Sequence, residues 1–177
     1  MPDTPVLITD RLCLRGHEAT DHDALHGLWS DPAVTAHITG TASTPAESWT
    51  RLLKYAGHWR LAGYGFWAVE HRETGYYLGE VGLADHRRGL GPEFDGKPEA
   101  GWILAPRAQG HGYAREAMRA VLEWADGGLD APVTVCVVSA AHPVSIRLAQ
   151  DIGYRDFGAI DRSGQEVRLF ERPRGGA

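Results

Sequence analysis

Gly110 and Gly112 stand two residues apart in the stretch PRAQGHGYAREA (106–117), with Arg107 just before them and a helical pattern beginning among them. A turn that runs straight into a helix offers unpaired backbone N–H groups and the positive end of the helix dipole. Such a place binds phosphate or another anion. An ordinary strand-to-helix turn also uses glycine, for its tight geometry, and this stretch alone does not separate the two uses.

The surrounding residues narrow the anion. The glycines do not form GxxxxGK[ST]: no lysine follows them and no hydroxyl stands ready for magnesium, which disfavours a nucleoside triphosphate. A dinucleotide fingerprint asks for GxGxxG after an early strand and an acidic residue at the end of the next. Here Ala114 and Arg115 follow, and the next strand ends VVSAAH (137–142) without an acid. A diphosphate held mainly by backbone amides, with no metal, remains.

The elements that must position this turn are legible on both sides. AGWILA (100–105) reads as the strand leading in, and a long helix over about 110–125 leads out, closed by DGG. VTVCVV (133–138) is a near-continuous apolar run, as in a buried central strand. A short helix over about 143–151 and two strands, YRDFGAI and EVRLFE around a DRSGQ turn, end the chain. Upstream, Leu12 to Arg15 alternates as a strand. Thr20 is placed to cap a helix carrying Leu25, Leu28 and Trp29, and SDP (30–32) stops it. Thr44, Pro45 and Glu47 form a capping box for a second helix, with Trp49, Leu52, Leu53, Ala56 and Trp59 as its apolar face. Segments 65–70 and 76–83 read as a hairpin, and 86–98 as a polar Gly/Pro-rich loop. The order βααβββαβαββ implies one mixed sheet with helices on both faces.

The 177 residues suit one domain, and the formal net charge of −5 gives no support to nucleic-acid or membrane-surface binding. No apolar run approaches the roughly 18 residues of a membrane span. The N-terminus lacks the pattern of a secretion signal. Cys13 and Cys136 lie in apolar, strand-like surroundings and read as reduced core thiols, so a cytoplasmic location is expected. The nine histidines are scattered, with no HExxH or tight cluster, and no metal site is expected.

Four blocks, in order, resemble the GNAT family of N-acetyltransferases. The resemblance covers about residues 7–171 and is closest to the branch that acetylates the N-termini of ribosomal proteins. The blocks are DRLCLRGHEATDHDALHGLWSDPAV (10–34), EAGWILAP (99–106), Arg107-Ala-Gln-Gly110-His-Gly112, and His142-Pro-Val-Ser145-Ile-Arg147 with Gly153-Tyr154. The resemblance implies a single-domain α/β fold over 1–177: a mixed, mostly antiparallel sheet flanked by helices, with two strands splayed apart at an acetyl-CoA site. It implies an acyltransferase that moves acetyl from acetyl-CoA to a primary amine by direct attack in a ternary complex. The acceptor would be a protein N-terminal α-amine. A small-molecule amine, antibiotic or metabolite, is the alternative, and a non-catalytic acetyl-CoA binder a further one. A homodimer is compatible with it.

By the same resemblance, Trp102, Ile103 and Leu104 hold the pantetheine arm and acetyl carbonyl. The diphosphate falls to Arg107, Ala108, Gln109, Gly110, His111, Gly112, Tyr113 and Ala114. His142, Ser145 and Arg147 lie on the other side of the splay, with Ser145 near the coenzyme and the reacting end. Two positions depart from the family. His142 stands where an asparagine is usual, and Ala149 where other branches place a tyrosine acid.

The incoming ammonium must lose a proton before it can attack. Glu99 is the first choice as base, with Glu80 and His86, beside Asp85, as the other candidates. Glu116 resembles a helix glutamate of the family that is structural. Period-two alternation puts Glu99, Gly101 and Ile103 on one side of their strand and Ala100, Trp102 and Leu104 on the other. The small Gly101 is expected to leave room beside Glu99 for an acceptor.

Overall fold

A computed structural model describes residues 4–162 and 164–176; Met1 to Asp3, Ser163 of the expected DRSGQ turn and Ala177 lie outside the described residues. Eight strands form one sheet: β1 (Leu7–Ile8), β2 (Leu12–Arg15), β3 (Phe66–His71), β4 (Tyr77–Ala84), β5 (Glu99–Leu104), β6 (Val133–Ser139), β7 (Arg155–Arg162) and β8 (Gln165–Pro173). Their spatial order is β1-β2-β3-β4-β5-β6-β8-β7. Every neighbouring pair is antiparallel except β5 and β6, which are parallel. The helices are α1 (His22–Ser30), α2 (Pro32–Thr35), α3 (Pro45–Ala62), α4 (Tyr113–Gly128) and α5 (Pro143–Asp151). The mixed, mostly antiparallel sheet flanked by helices that the sequence implies is thus present.

The alternation read along β5 holds, and it divides the core in two. Ala100, Trp102 and Leu104 pack with Val81, Leu83 and the α4 residues Ala117, Met118, Val121 and Leu122. Ile103 packs on the opposite face with Leu25, Trp29, Leu52, Tyr55 and Phe66, from α1, α3 and β3. Burying one Met, Val or Leu of the α4 stripe is worth about 1.5–3 kcal/mol, so α4 and the turn feeding it are anchored by their far side.

Three local expectations are corrected. Thr20 does not cap α1. It lies in a 3-10 turn over Ala19–Asp21, whose reciprocal capping box joins Glu18 and Asp21. The capping box of Thr44 and Glu47 forms, with Glu47 N–H on Thr44 Oγ1 at 3.3 Å, but the buried face of α3 is Ser48, Leu52, Tyr55 and Trp59. Trp49, Leu53 and Ala56 point outward, because the core contacts follow the 48–52–55–59 line one step round the helix. α4 begins at Tyr113, after both glycines, and Gly127 and Gly128 complete its last turn.

Candidate active site

β5 and β6 share one registered pair among the described residues, Glu99 opposite Val135, with Val135 N–H donating to the Pro98 carbonyl at 3.0 Å. Beyond that vertex the strands part. The N–H of Ala105 turns toward β4, where it meets the Leu78 carbonyl at 2.9 Å. Strand alternation therefore aims the N–H groups of Trp102 and Leu104 into the gap, and that of Val137 from the other side. An open wedge between two parallel strands, lined by backbone donors, can hold an extended polar chain and a developing oxyanion.

At the open end the chain makes one 3-10 turn, Pro106–Ala108, and passes through Gly110 (φ +79) and Gly112 (φ +78) into α4. A Cβ on Gly110 would meet nothing within 4 Å, and one on Gly112 only Arg11 Nη2 at 3.6 Å. Glycine is needed here for its left-handed backbone, not for space inside the protein. Within the loop, Ala108 N–H bonds to Ala105 C=O at 2.8 Å, Gln109 N–H to Pro106 C=O at 3.2 Å, and Gln109 Nε2 to Leu104 C=O at 3.0 Å. The first intrahelical bond of α4 is Glu116 N–H to Gly112 C=O. The N–H groups of Tyr113, Ala114 and Arg115 therefore face out of the helix start, as an anion requires.

The loop is braced from the segment between β1 and β2. Arg11 donates to His111 C=O at 3.0 Å and to Glu116 Oε2 at 2.7 Å, with its guanidinium 4.6 Å from the Tyr113 ring centre. Thr9 Oγ1 and Arg11 N–H both reach Glu116 Oε1. Burial works to raise the pKa of Glu116, but these hydrogen bonds outweigh it and lower the value. Arg107 gives one Nη2 hydrogen bond to the Tyr77 carbonyl at 2.7 Å and lines a cleft of about 250 Å³ with Tyr76 and His111.

Across the gap, His142 caps α5. Its Nδ1 accepts the Ser145 N–H at 3.4 Å, the work an asparagine oxygen does at such a position. Trp102 Nε1 donates to Ser145 Oγ at 3.3 Å, so one side chain from each border of the wedge meets over it. Burial and the nearby His37 lower the pKa of His142. Arg147 is exposed, and Ala149 is fully buried with no proton to give.

Of the expected bases, Glu99 is 6% exposed and forms a two-toothed ion pair with Arg88, both contacts at 2.8 Å. The room beside Gly101 is not open to an acceptor: the Phe66 ring fills it, standing 2.7 Å from where a Cβ would be. Glu80 faces neither cleft nor solvent. It is fully buried beneath α1 and α3, accepting from Trp29 Nε1 at 3.0 Å, from the Tyr55 hydroxyl, and from the Tyr77 hydroxyl at 3.4 Å. His86 sits with Nδ1 3.1 Å from Lys54 Nζ. Burial, with the charges of Arg88 and Lys54, brings its pKa down to about 3. Asp85 pairs with Arg87. These ion-pair partners come from a loop and a distant helix, and no spacing in the sequence announces them. The same holds for His37, which lies against His142 across 105 positions of chain, 142 less 37.

A family model described as an acetyltransferase (GNAT) domain matches residues 11–155. The chain is 30% identical to the uncharacterized protein YkkB of Bacillus subtilis (strain 168), over 94% of each chain. It is 31% identical to a putative GNAT-family acetyltransferase structure from Bordetella pertussis, with a TM-score of 0.85, covering 95% of this chain and 99% of that one. Two more distant structures share the fold. One is a spermidine N-acetyltransferase from Vibrio cholerae in complex with CoA and spermine, with 22% identity, TM-score 0.74, and 95% and 98% coverage. The other is a ribosomal L7/L12 α-N-protein acetyltransferase in complex with coenzyme A, with 15% identity, TM-score 0.79, and 96% and 98% coverage.

Proposed function

This chain belongs to the GNAT acetyltransferase family, and from that premise we propose that its acceptor is the α-amine at a protein N-terminus. The observation that carries the reading is the cleft at the far end of β6. It is about 240 Å³, walled by the small residues Ala36, Ala140 and Ala141, and offers one carboxylate, Glu166. A polyamine carries several ammonium groups, and holding it takes several carboxylates, because each unpaired charge in a cleft costs desolvation. A peptide N-terminus brings one ammonium and otherwise small backbone groups, which one carboxylate and a row of alanines suit.

Acetyl-CoA supplies the activated acetyl group as a thioester. The residues present fit it: the left-handed glycine turn and the N–H groups of Tyr113, Ala114 and Arg115 suit its diphosphate. The N–H groups of Trp102 and Leu104 would hold the arm and stabilise negative charge on the carbonyl oxygen as attack proceeds. Ser145, held between Trp102 and His142, would lie over that arm. Holding amine and thioester together replaces an encounter in solution by a positioned reaction.

The test is thiol release from acetyl-CoA with three acceptors: a short peptide with a free N-terminal alanine, the same peptide blocked at its N-terminus but carrying a lysine, and spermidine. The free-alanine peptide should give the highest kcat/KM. A spermidine value tenfold above it would replace this acceptor by a polyamine.

A further inference from the structure

We propose that His37 receives the proton of the acceptor amine, and that His142 holds it in place. The inference rests on the acetyltransferase reading above. It starts from how the carboxylates near the wedge are engaged. Glu99 is locked by Arg88, Glu80 is enclosed by three donors, and Glu116 is held by Thr9 and Arg11.

A continuous chain of contacts leads instead to an imidazole. Trp102 on β5 meets Ser145 through Nε1 and Oγ; Ser145 N–H meets His142 Nδ1; and the His142 ring lies 4.6 Å from the His37 ring, tilted by 53°. This chain begins on the strand whose N–H groups face the wedge and ends at the exposed His37, just past α2. There His37 lines the acceptor cleft together with Ser139 and Glu166.

The tautomers follow from the contacts. Because Nδ1 of His142 accepts the Ser145 N–H, the proton of the neutral ring sits on Nε2. His142 is then committed on one edge and a donor on the other, so it has no free lone pair for an amine. Neither ring nitrogen of His37 is engaged by a hydrogen bond among the described residues, which leaves one lone pair for a proton. Burial and the neighbouring His37 both disfavour charge on His142, so His142 does not compete for the proton. The other titratable group lining the cleft is Glu166 of β8.

The step balances as follows. An ammonium that becomes an amide sheds two protons. The first passes to a ring nitrogen of His37, which frees the amine lone pair. That pair forms the C–N bond to the thioester carbon, and the C–S bond breaks with its electrons on sulfur. The second proton ends on the thiolate, by way of water, and His37 returns its own to solvent.

The experiment is the pH dependence of kcat/KM, with the free-alanine peptide and with spermidine, for the wild type, His37→Gln, His37→Ala and His142→Asn. Acetyl-CoA affinity is measured by calorimetry beside each. His37→Gln should lose about 10²-fold or more and its acidic limb, with coenzyme affinity unchanged. Added imidazole should restore part of the activity of His37→Ala. His142→Asn keeps a capping acceptor and should lose less, with its acidic limb retained. A His37→Gln enzyme within threefold of the wild type, with the same acidic limb, overturns the role of His37 and leaves the acetyltransferase reading standing. A wild type that binds acetyl-CoA yet turns over neither acceptor overturns that reading, and the role of His37 with it.

Discussion

Glu80 Oε1 accepts the indole N–H of Trp29 at 3.0 Å, wholly inside the protein, and this contact ties α1 to the central sheet. Tyr55 adds α3 to the same carboxylate, and Tyr77 adds the start of β4. The carboxylate next to the wedge-lining strand is thus a clamp for the two helices on that face. Its negative charge raises the pKa of both tyrosines, after the larger effect of burial.

Glu80→Gln should therefore act on stability. The amide keeps one acceptor but turns an NH2 group toward hydroxyl and indole donors, and one unsatisfied buried polar group costs about 1–3 kcal/mol. For a chain of this size that is a fall in Tm of about 2–12 °C. Thermal melts at neutral pH measure it, with acetyl-CoA affinity expected to stay within threefold. An unchanged Tm would mean that the clamp carries no net stability.

Gly112→Ala separates folding from binding. The new Cβ meets only a movable arginine end at 3.6 Å, so the cost is that of a left-handed alanine, about 1–2 kcal/mol. The loop should relax toward other backbone angles and misdirect the N–H groups at the start of α4. Calorimetry should show acetyl-CoA binding weakened about tenfold or more, while circular dichroism remains that of the wild type. Wild-type affinity in both Gly112→Ala and Gly110→Ala would put the diphosphate elsewhere.

Arg88→Ala should cost more than Glu99→Ala. Removing the arginine leaves Glu99 almost wholly buried with its charge unmatched, whereas removing the glutamate leaves a cation that is partly in solvent and free to swing outward. The difference should be about 1–2 kcal/mol in urea unfolding, and Glu99→Gln should fall between them. Equal losses for the two alanine variants would mean that Glu99 finds another partner or becomes neutral.

What was readable in the sequence and what was not divides along physical lines. The β5 alternation, the capping box at Thr44 and the glycine turn were legible because each is set by residues within a few positions of one another. The sequence does not single out Tyr55 on α3, because Trp49 and Leu53 are equally apolar and only tertiary contacts choose between two adjacent stripes. The small Gly101 suggests room for an acceptor, whereas Phe66 from β3 occupies that room. Nothing local to residues 99–104 records the approach of that ring. The Arg88 partner of Glu99 and the contact of His37 with His142 are likewise set by the fold and not by spacing.

His86 gives a pH dependence whose sign can be worked out. Its Nδ1 lies 3.1 Å from Lys54 Nζ, where it must accept, and burial with the charges of Arg88 and Lys54 brings its pKa down to about 3. In the unfolded chain a histidine titrates near about 6.5. Between those two values the unfolded state binds a proton that the native state refuses, so native stability is full above about pH 6.5 and declines as pH falls toward 3. The limiting slope is about 1.4 kcal/mol per pH unit, and the solvent around this half-buried ring reduces it. His86→Asn keeps a side-chain acceptor and has no proton to bind. Urea unfolding at pH 7.5 and pH 5 should therefore show the wild type losing about 1 kcal/mol more than His86→Asn over that interval. Asp126, whose pKa Arg172 lowers by hydrogen bonding, adds a second decline that sets in only below the ordinary aspartate value. The pH 5 comparison therefore isolates the histidine. If both proteins lose the same stability between the two pH values, His86 is protonated alike in the native and unfolded states, and Lys54 does not hold its nitrogen.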